Sequence, residues 1–208
     1  MTGSSKRSSA RREEILNACE KLYATMNFRE ITLREIGEAT TFTRPSIYNY
    51  FHTKEEIFLG LLKREYDLWV AALEDAAGSR EQMTDEEIAA CIAGTLAQRQ
   101  LLLKLLSTNH FDLEESCSVE ALVDFKISYA KTLDAVGALL AKFRPDMDET
   151  AVQEFQFTFF PFLFGVYPYT TLTDRQKETM ERAGVRFAYY SVYDMIHRAV
   201  TKMLPARS

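Results

Sequence analysis

The sequence predicts an all-α fold, and three observations support this prediction. Glycine and proline are scarce, with 8 and 5 in 208 residues, which disfavours a turn-rich β fold. Apolar residues recur three and four positions apart along most of the chain, which is the spacing of a helix face. Helix-capping residues precede several of these segments, and no strand longer than a few residues is predicted. A share of 47% apolar residues is enough for a hydrophobic core.

Three helices are predicted near the N-terminus, after a polar segment at residues 1–10 that is expected to be disordered. The first helix begins near Arg11 and buries a stripe that includes Ile15. Thr32, with Glu35 three residues later, forms a capping box that starts the second helix.

The third predicted helix is short and runs from Arg44 to about Phe51. Thr43 is a favourable N-cap, and Pro45 falls in the first turn, where its missing N–H costs nothing. Ile47 and Phe51, four residues apart, anchor this helix on the core. The polar residues around them are therefore expected to face outward.

The rest of the chain is predicted to be helical as well. A long helix follows Thr53 and ends near Gly78. Further helical regions are expected at residues 85–107, 119–143, 148–166 and 174–203. The most apolar stretch, residues 155–169, is too short to cross a bilayer, so no membrane span is predicted.

Charge is unevenly distributed along the chain. Residues 1–54 contain nine lysines and arginines and six acidic residues, a net charge of +3, whereas the remainder carries −8. A basic end on an acidic body is typical of a phosphate-seeking module joined to a domain with another role.

Several classes of function are disfavoured by the motifs. Neither GxGxxG nor a P-loop occurs, and the three histidines are scattered, so no enzyme is predicted. The three cysteines lie far apart without a CxxC, which predicts no metal site, no cofactor and a reducing compartment. No apolar run follows the N-terminal basic residues, so a signal peptide is not predicted and a cytoplasmic location is expected.

Residues 32–51 predict a helix, a three-residue turn and a short helix, which is the pattern of a helix-turn-helix. The second helix of such a pair can enter the major groove of B-DNA, which is about 12 Å wide. Arg44 suits guanine O6 and N7, Asn49 suits adenine N6 and N7, and the methyl group of Thr43 suits that of thymine. Residues 1–10 then have two interpretations, a passive tail or a basic arm reaching along DNA.

Two stretches resemble the tetracycline-repressor (TetR) family of transcriptional regulators. They are ITLREIGEA at residues 31–39 and TRPSIYNYFHTKEEI at residues 43–57, of which IYxYFxxKE is the most specific part. The resemblance covers residues 10–60, and the chain length and helical remainder also fit. It implies a dimeric regulator of palindromic double-stranded DNA that responds to a small-molecule effector.

The resemblance also implies roles for individual residues of the helix-turn-helix. Thr32 would donate to a phosphate and Lys54 would neutralise one, whereas residues of the third helix would face bases and backbone. The candidate DNA-binding residues are Thr32, Thr43, Arg44, Pro45, Ser46, Tyr48, Asn49, Tyr50, His52 and Lys54. Thr41 and Pro45 stand where the family often has glycine or a small residue. The operator sequence of another family member can therefore not be assigned to this chain.

A homodimer is expected because the segment at residues 153–169 is apolar on all sides, and one chain can cover only one of them. The resemblance implies that the last two long helices pair with their copies. The expected domains are the arm at 1–10, the helix-turn-helix at 11–56 and a ligand-binding and dimerisation domain at 57–208. The candidate dimerisation residues are Phe155, Phe159, Phe162, Val166, Val185, Tyr189, Val192 and Ile196.

An effector cavity between the middle helices is a further implication of the resemblance. The candidate lining residues are Asn109, His110, Phe111, Phe125, Tyr129, Phe160, Phe164 and Tyr167. Their composition predicts a mainly apolar or aromatic effector that favours a DNA-incompetent state and so releases a repressor from its operator. The main alternative is a helical hydrophobic-ligand-binding protein without a DNA function. Repression and activation are not distinguished by the sequence.

Overall fold

A computed structural model describes the backbone of residues 3–41, 44–108 and 110–207, and the side chains of residues 7–41, 45–108 and 113–207. Within these residues the chain forms eleven helices and no strand, which confirms the all-α prediction. The helices are α1 (Gly3–Thr25), α2 (Leu33–Glu38), α3 (Arg44–Ile47), α4 (Lys54–Gly78), α5 (Asp85–Ala97), α6 (Gln100–Leu106), α7 (His110–Glu115), α8 (Val119–Phe143), α9 (Glu149–Thr170), α10 (Asp174–Arg182) and α11 (Val192–Met203).

The chain divides into two compact units. The first contains Met1–Arg64 and Thr108–Ser128, and the second contains Glu65–Ser107 and Tyr129–Ser208. The sequence placed the domain boundary closer to the N-terminus, after residue 56. No helix in the described part of the chain is long and apolar enough to span a membrane.

The first unit has a small core to which α1, α2, α3 and the start of α4 each contribute. Ile15, Ile36 and Ile47 are fully buried, and so is Phe58 of α4. The ring of Tyr23 meets Phe58 edge-on with centroids 5.0 Å apart, a favourable aromatic geometry. Helix α1 begins at Gly3, so residues 3–10 are helical where the sequence suggested a disordered arm.

The second unit is built around an aromatic cluster. Trp69 is fully buried and lies 6.5 Å from Phe159 and 6.2 Å from Phe160 between ring centroids. Tyr129 lies 5.7 Å from Phe160 and 5.8 Å from Tyr66. The indole N–H of Trp69 donates to the Thr95 hydroxyl at 3.1 Å, so the polar atom of the largest core side chain is satisfied.

The single helix predicted at residues 174–203 is wrong. Helix α10 ends at Arg182, and α11 begins only at Val192, after the cap residue Ser191. Gly184 adopts a φ of 67°, the left-handed conformation that ends many helices and that favours glycine. Val185 and Tyr189 are therefore not part of a helical stripe with Val192.

Most of the predicted dimerisation residues lie in the core of their own chain. Phe155, Phe159 and Val166 of α9 are at most 2% exposed, and Val192 and Ile196 of α11 are also buried. Because these side chains are already covered within one subunit, they are not available to a second one. Phe162 is half-buried, whereas Val185 and Tyr189 are exposed.

A buried arginine joins three parts of the second unit. Arg144 follows α8 and has no exposed side-chain surface; its guanidinium contacts Asp146 at 2.7 and 2.8 Å and Asp85 at 3.1 Å. It also donates to the carbonyl of Pro205 at 3.0 Å. The hydrogen bonds to Arg144 hold the pKa of Asp146 at about 2. The guanidinium therefore links the start of α5, the α8–α9 turn and the C-terminal residues.

Replacing Arg144 with methionine should lower the free energy of unfolding by about 3 kcal/mol, because it leaves the Asp146 carboxylate without its partner and leaves Asp85 paired with Arg207 alone. The lower end of the usual range is expected, since Asp85 and Asp146 keep some contact with water. Urea unfolding measures the change, and Arg175→Met on exposed α10 is the matched control. Equal loss of stability in both variants would contradict a structural role specific to Arg144.

Candidate nucleic-acid interface

Helix α2 begins with the capping box that the sequence predicts. The amide of Arg34 donates to the Thr32 hydroxyl oxygen at 3.2 Å, and the Thr32 amide donates to the Glu35 carboxylate at 3.1 Å. The Thr32 hydroxyl also contacts that carboxylate. These hydrogen bonds hold the pKa of Glu35 below its usual range, the one from the Thr32 side chain having the largest effect. The Thr32 hydroxyl is thus already engaged within the protein.

Helix α3 presents one face to the core and another to solvent. Ile47 is fully buried and Phe51 nearly so, which confirms them as the anchors of this short helix. Tyr48 is 43% exposed, and Pro45 and Asn49 are also exposed. The helical turn continues beyond Ile47, because its carbonyl accepts from the amides of Tyr50 at 2.8 Å and Phe51 at 3.0 Å.

The other predicted DNA-binding residues differ in exposure. His52 is exposed, whereas Ser46 and Tyr50 are half-buried. Thr43 and the side chain of Arg44 lie outside the described residues.

Two residues of α1 contact the chain on either side of α3. Glu14 accepts hydrogen bonds from the Thr41 amide at 2.8 Å and the Thr41 hydroxyl at 2.5 Å. These bonds, chiefly that from the hydroxyl, lower the pKa of Glu14. Arg12 donates to the Tyr50 carbonyl at 3.0 Å and lies 4.4 Å from the centroid of the Phe51 ring. Sequence reasoning missed both contacts, although Thr41 was noted as a departure from the family pattern.

Lys54 is directed into the first unit. Its ammonium group donates to the carbonyls of Phe28 at 2.8 Å and Ile31 at 3.0 Å, and it lies 4.3 Å from the centroid of the Phe28 ring. It therefore fixes the α1–α2 loop on the first turn of α4. The expected phosphate contact is not supported by this geometry.

The turn between α3 and α4 depends on a buried carboxylate. Glu56 accepts from the His52 amide at 2.8 Å and from the Ser118 hydroxyl at 2.8 Å and amide at 3.2 Å. Burial alone would raise the pKa of Glu56, but these hydrogen bonds stabilise the carboxylate more strongly, so the net effect is a lowered pKa. Thr53 caps α4 through the Glu56 amide at 3.1 Å. Both ends of α3 are thus fixed by side chains from neighbouring helices.

Comparison with known families identifies this arrangement. Residues 15–61 match the model "Bacterial regulatory proteins, tetR family", and residues 63–201 match "Tetracyclin repressor-like, C-terminal domain". The chain belongs to the TetR family. It is accordingly a transcriptional regulator with an N-terminal helix-turn-helix, and the resemblance carried by residues 31–57 is confirmed.

Individual relatives of this TetR-family chain are distant. Over 85 residues it is 31% identical to the HTH-type transcriptional repressor AcnR of Corynebacterium efficiens, and the match spans 41% of this chain and 40% of AcnR. A putative TetR-family regulator from Mesorhizobium loti has a TM-score of 0.62 at 14% identity, covering 94% of this chain and 97% of that one. FadR from Bacillus subtilis, solved with stearoyl-CoA, has a TM-score of 0.55 at 15% identity, covering 94% and 98%. These structures support the fold.

The predicted effector-lining residues do not form one described site. Asn109 and the side chains of His110 and Phe111 lie outside the described residues. Phe125 is buried in the first unit, and the other four belong to the second. There Phe160 is buried, Tyr129 and Tyr167 are half-buried and Phe164 is 41% exposed.

The second unit contains an open groove between α4 and α8 that the sequence did not indicate. Its volume is about 460 Å³, and its lining includes Leu73, Ala77, Ala135 and Leu139. Lys142, on its rim, donates to the carbonyls of Ala77 and Arg80 at the end of α4. A groove of this size lies within the usual range for small-ligand sites.

Two of the three cysteines have strongly raised pKa values. Burial raises the pKa of Cys19 to about 12, and burial with nearby carboxylates raises that of Cys117 to about 12. The reactive thiolate forms are therefore disfavoured at both positions. Among the described residues, no group of three or more His, Cys, Asp or Glu side chains is placed to hold a metal ion.

We expect Glu56→Gln to destabilise the protein near neutral pH by about 1–2 kcal/mol, because charged hydrogen bonds are weakened. The pKa of Glu56 is lower in the folded than in the unfolded protein. Its charge therefore contributes fully to the free energy of unfolding above the unfolded-state pKa of about 4.3, and this contribution is lost as the pH falls through the folded-state pKa. Unfolding measured from pH 7 to 3 should show the two proteins converging below about pH 4. Glu120→Gln, at an exposed carboxylate, is the control; a difference independent of pH would contradict the role given to the Glu56 charge.

Proposed function

We propose that this TetR-family regulator is a cytoplasmic, non-enzymatic, homodimeric repressor that binds a palindromic operator through α3 and leaves it when a small, mainly apolar effector binds. The observation that carries the proposal is the division of α3 into two faces. Ile47 and Phe51 hold the short helix on the core, and Pro45, Tyr48 and Asn49 stand in solvent beside it.

The exposed residues of α3 have the chemistry of DNA recognition. Asn49 can form the bidentate pair with adenine, and Tyr48 can contact a phosphate or a base edge. Arg44 and Thr43 belong to the same proposed surface by their place in the sequence, and Ser46, Tyr50 and His52 extend it. Repression is favoured by the relative AcnR, which is described as a repressor.

The proposed dimer uses the outward face of α9 rather than the buried residues Phe155, Phe159 and Val166 that the sequence suggested. Phe157, Pro161, Phe164 and Pro168 recur at intervals of four, three and four and are all exposed, with Phe157 80% exposed. No charged residue occurs between Glu154 and Asp174. An exposed apolar face several turns long is rare on a monomer, and a second copy of the chain is the partner that covers it in every molecule.

Aromatic residues after α10 extend this face. Tyr169 stacks on Phe187 with centroids 6.2 Å apart, and Phe187 meets Tyr189 at 5.4 Å. Tyr189 remains 63% exposed. Val185 and Tyr189 therefore remain in the proposed interface, but from an irregular segment instead of a helix.

A mainly apolar effector is favoured by the composition of the second unit. The α4–α8 groove offers a surface of this kind, because Val70, Leu73, Ala135 and Leu139 line it beside the charged residues Glu74, Lys131, Asp134 and Lys142. Stearoyl-CoA, with which the Bacillus subtilis FadR was solved, is one probe for release of the operator.

Selection of binding sites from random duplex DNA tests the DNA function. The purified protein should enrich a palindrome whose half-sites lie about 34 Å, one helical turn, apart. Asn49→Ala should relax preference at one base pair of each half-site by about 1–3 kcal/mol, and Tyr48→Ala should weaken all sites. Gln82→Ala, at an exposed amide between α4 and α5, is the control. If a confirmed dimer enriches nothing at low salt, the hydrophobic-ligand alternative replaces this proposal.

Dimerisation is tested by introducing charge on the outward face of α9. The double variant Phe157→Glu and Phe164→Glu should sediment as a monomer at micromolar concentration, because unpaired charges are strongly disfavoured in an interface core. Val123→Glu changes an apolar residue of α8 whose exposure of 53% lies between those of Phe164 and Phe157, and it should leave the dimer intact. A double variant that dimerises like the parent protein would rule out this face.

A further inference from the structure

The described N-terminal side chains of α1, those of residues 7–13, contribute nothing to the core of the first unit. The helix begins at Gly3, yet the first buried side chain among those described is that of Ile15. Residues 7–13 are all exposed. These seven residues make about two turns of helix that lie outside the packed core.

This segment carries only positive side-chain charge. Residues 1–12 include Lys6, Arg7, Arg11 and Arg12 and no acidic residue. Arg7 and Arg11 are exposed and four residues apart, so they lie on the same face of α1. Basic side chains spaced along one helix face suit a polyanion, since each charge can neutralise a separate phosphate.

The segment continues directly from the two residues that contact the chain on either side of α3. Arg12 donates to the Tyr50 carbonyl after α3, and Glu14 accepts from Thr41 before it. Glu14 stands three residues after Arg11 and seven after Arg7, so all three share one helix face. The basic face of α1 is thus the extension of the face that meets the helix-turn-helix.

We infer that α1 forms a second DNA contact, in which Arg7 and Arg11 bind backbone phosphates just outside the base pairs read by α3. This inference rests on the proposed DNA-binding function. From Arg12 to Gly3 the helix is about 14 Å long, which corresponds to about four base pairs. Such contacts carry no sequence information, but they fix register and increase affinity.

The test compares the full-length protein with the double variant Arg7→Gln and Arg11→Gln. Glutamine resembles arginine in helix propensity, so α1 should keep its structure, and circular dichroism checks this. Affinity is measured on the selected operator in two duplexes, one ending at the palindrome and one extended by about six arbitrary base pairs on each side. Arg175→Gln with Lys177→Gln on exposed α10 removes the same charge elsewhere.

On the extended duplex the double variant should bind roughly tenfold more weakly, and its salt slope should fall by about 0.9 for each phosphate that it no longer neutralises. On the short duplex the variant and the parent protein should bind alike, as should the α10 control on both duplexes. Equal affinities on the extended duplex, or an equal weakening on both duplexes, would overturn the flanking contact. If the parent protein binds neither duplex, the proposed DNA function itself fails, a result distinct from the other two.

Discussion

The proposed DNA-reading surface depends on the burial of Ile47 and Phe51. Helix α3 is four residues long, and an isolated helix of that length is far too short to form in water. Its conformation therefore comes from the apolar side chains that enter the core of the first unit. Because these two anchors are four residues apart, the positions around them, Tyr48 and Asn49 above all, are left in solvent. One packing requirement thus fixes both where α3 lies and which of its residues are exposed for the proposed DNA contact.

The polar residues around α3 fix different parts of the neighbouring chain. Glu14 and Arg12 hold the chain before and after α3, and Glu56 and Lys54 hold the turn and the loop next to it. Residue type alone does not reveal this division, since Lys54 and Arg7 are both basic residues of one DNA-binding unit. The structure distinguishes them, because Lys54 donates hydrogen bonds to the carbonyls of the α1–α2 loop, whereas Arg7 is exposed to solvent. For this reason the sequence led to the expectation that Lys54 contacts a DNA phosphate.

Local signals predicted much of the fold, because the physical cause lay within a few residues. The capping box at Thr32, the start of α4 after Thr53 and the full extent of α8 all follow from caps and periodicity. The break between α10 and α11 was missed because helical spacing continues through it, while the backbone turns at Gly184. Helix α7 was missed as well, since six residues give too short a pattern to detect.

The dimerisation residues could not be predicted for a different reason. Helix α9 is apolar on both sides, so its sequence indicates that two surfaces must be shielded from water. The sequence does not show which of the two packs within its own chain. Phe155 and Phe159 pack in the aromatic core at Trp69, and this leaves Phe157 and Phe164 outside. Pro161 and Pro168 also lie on the outer side. An outer face with two prolines, exposed phenylalanines and no charge is unlike a solvated helix surface, and it is the property that makes a second copy of this chain the expected partner.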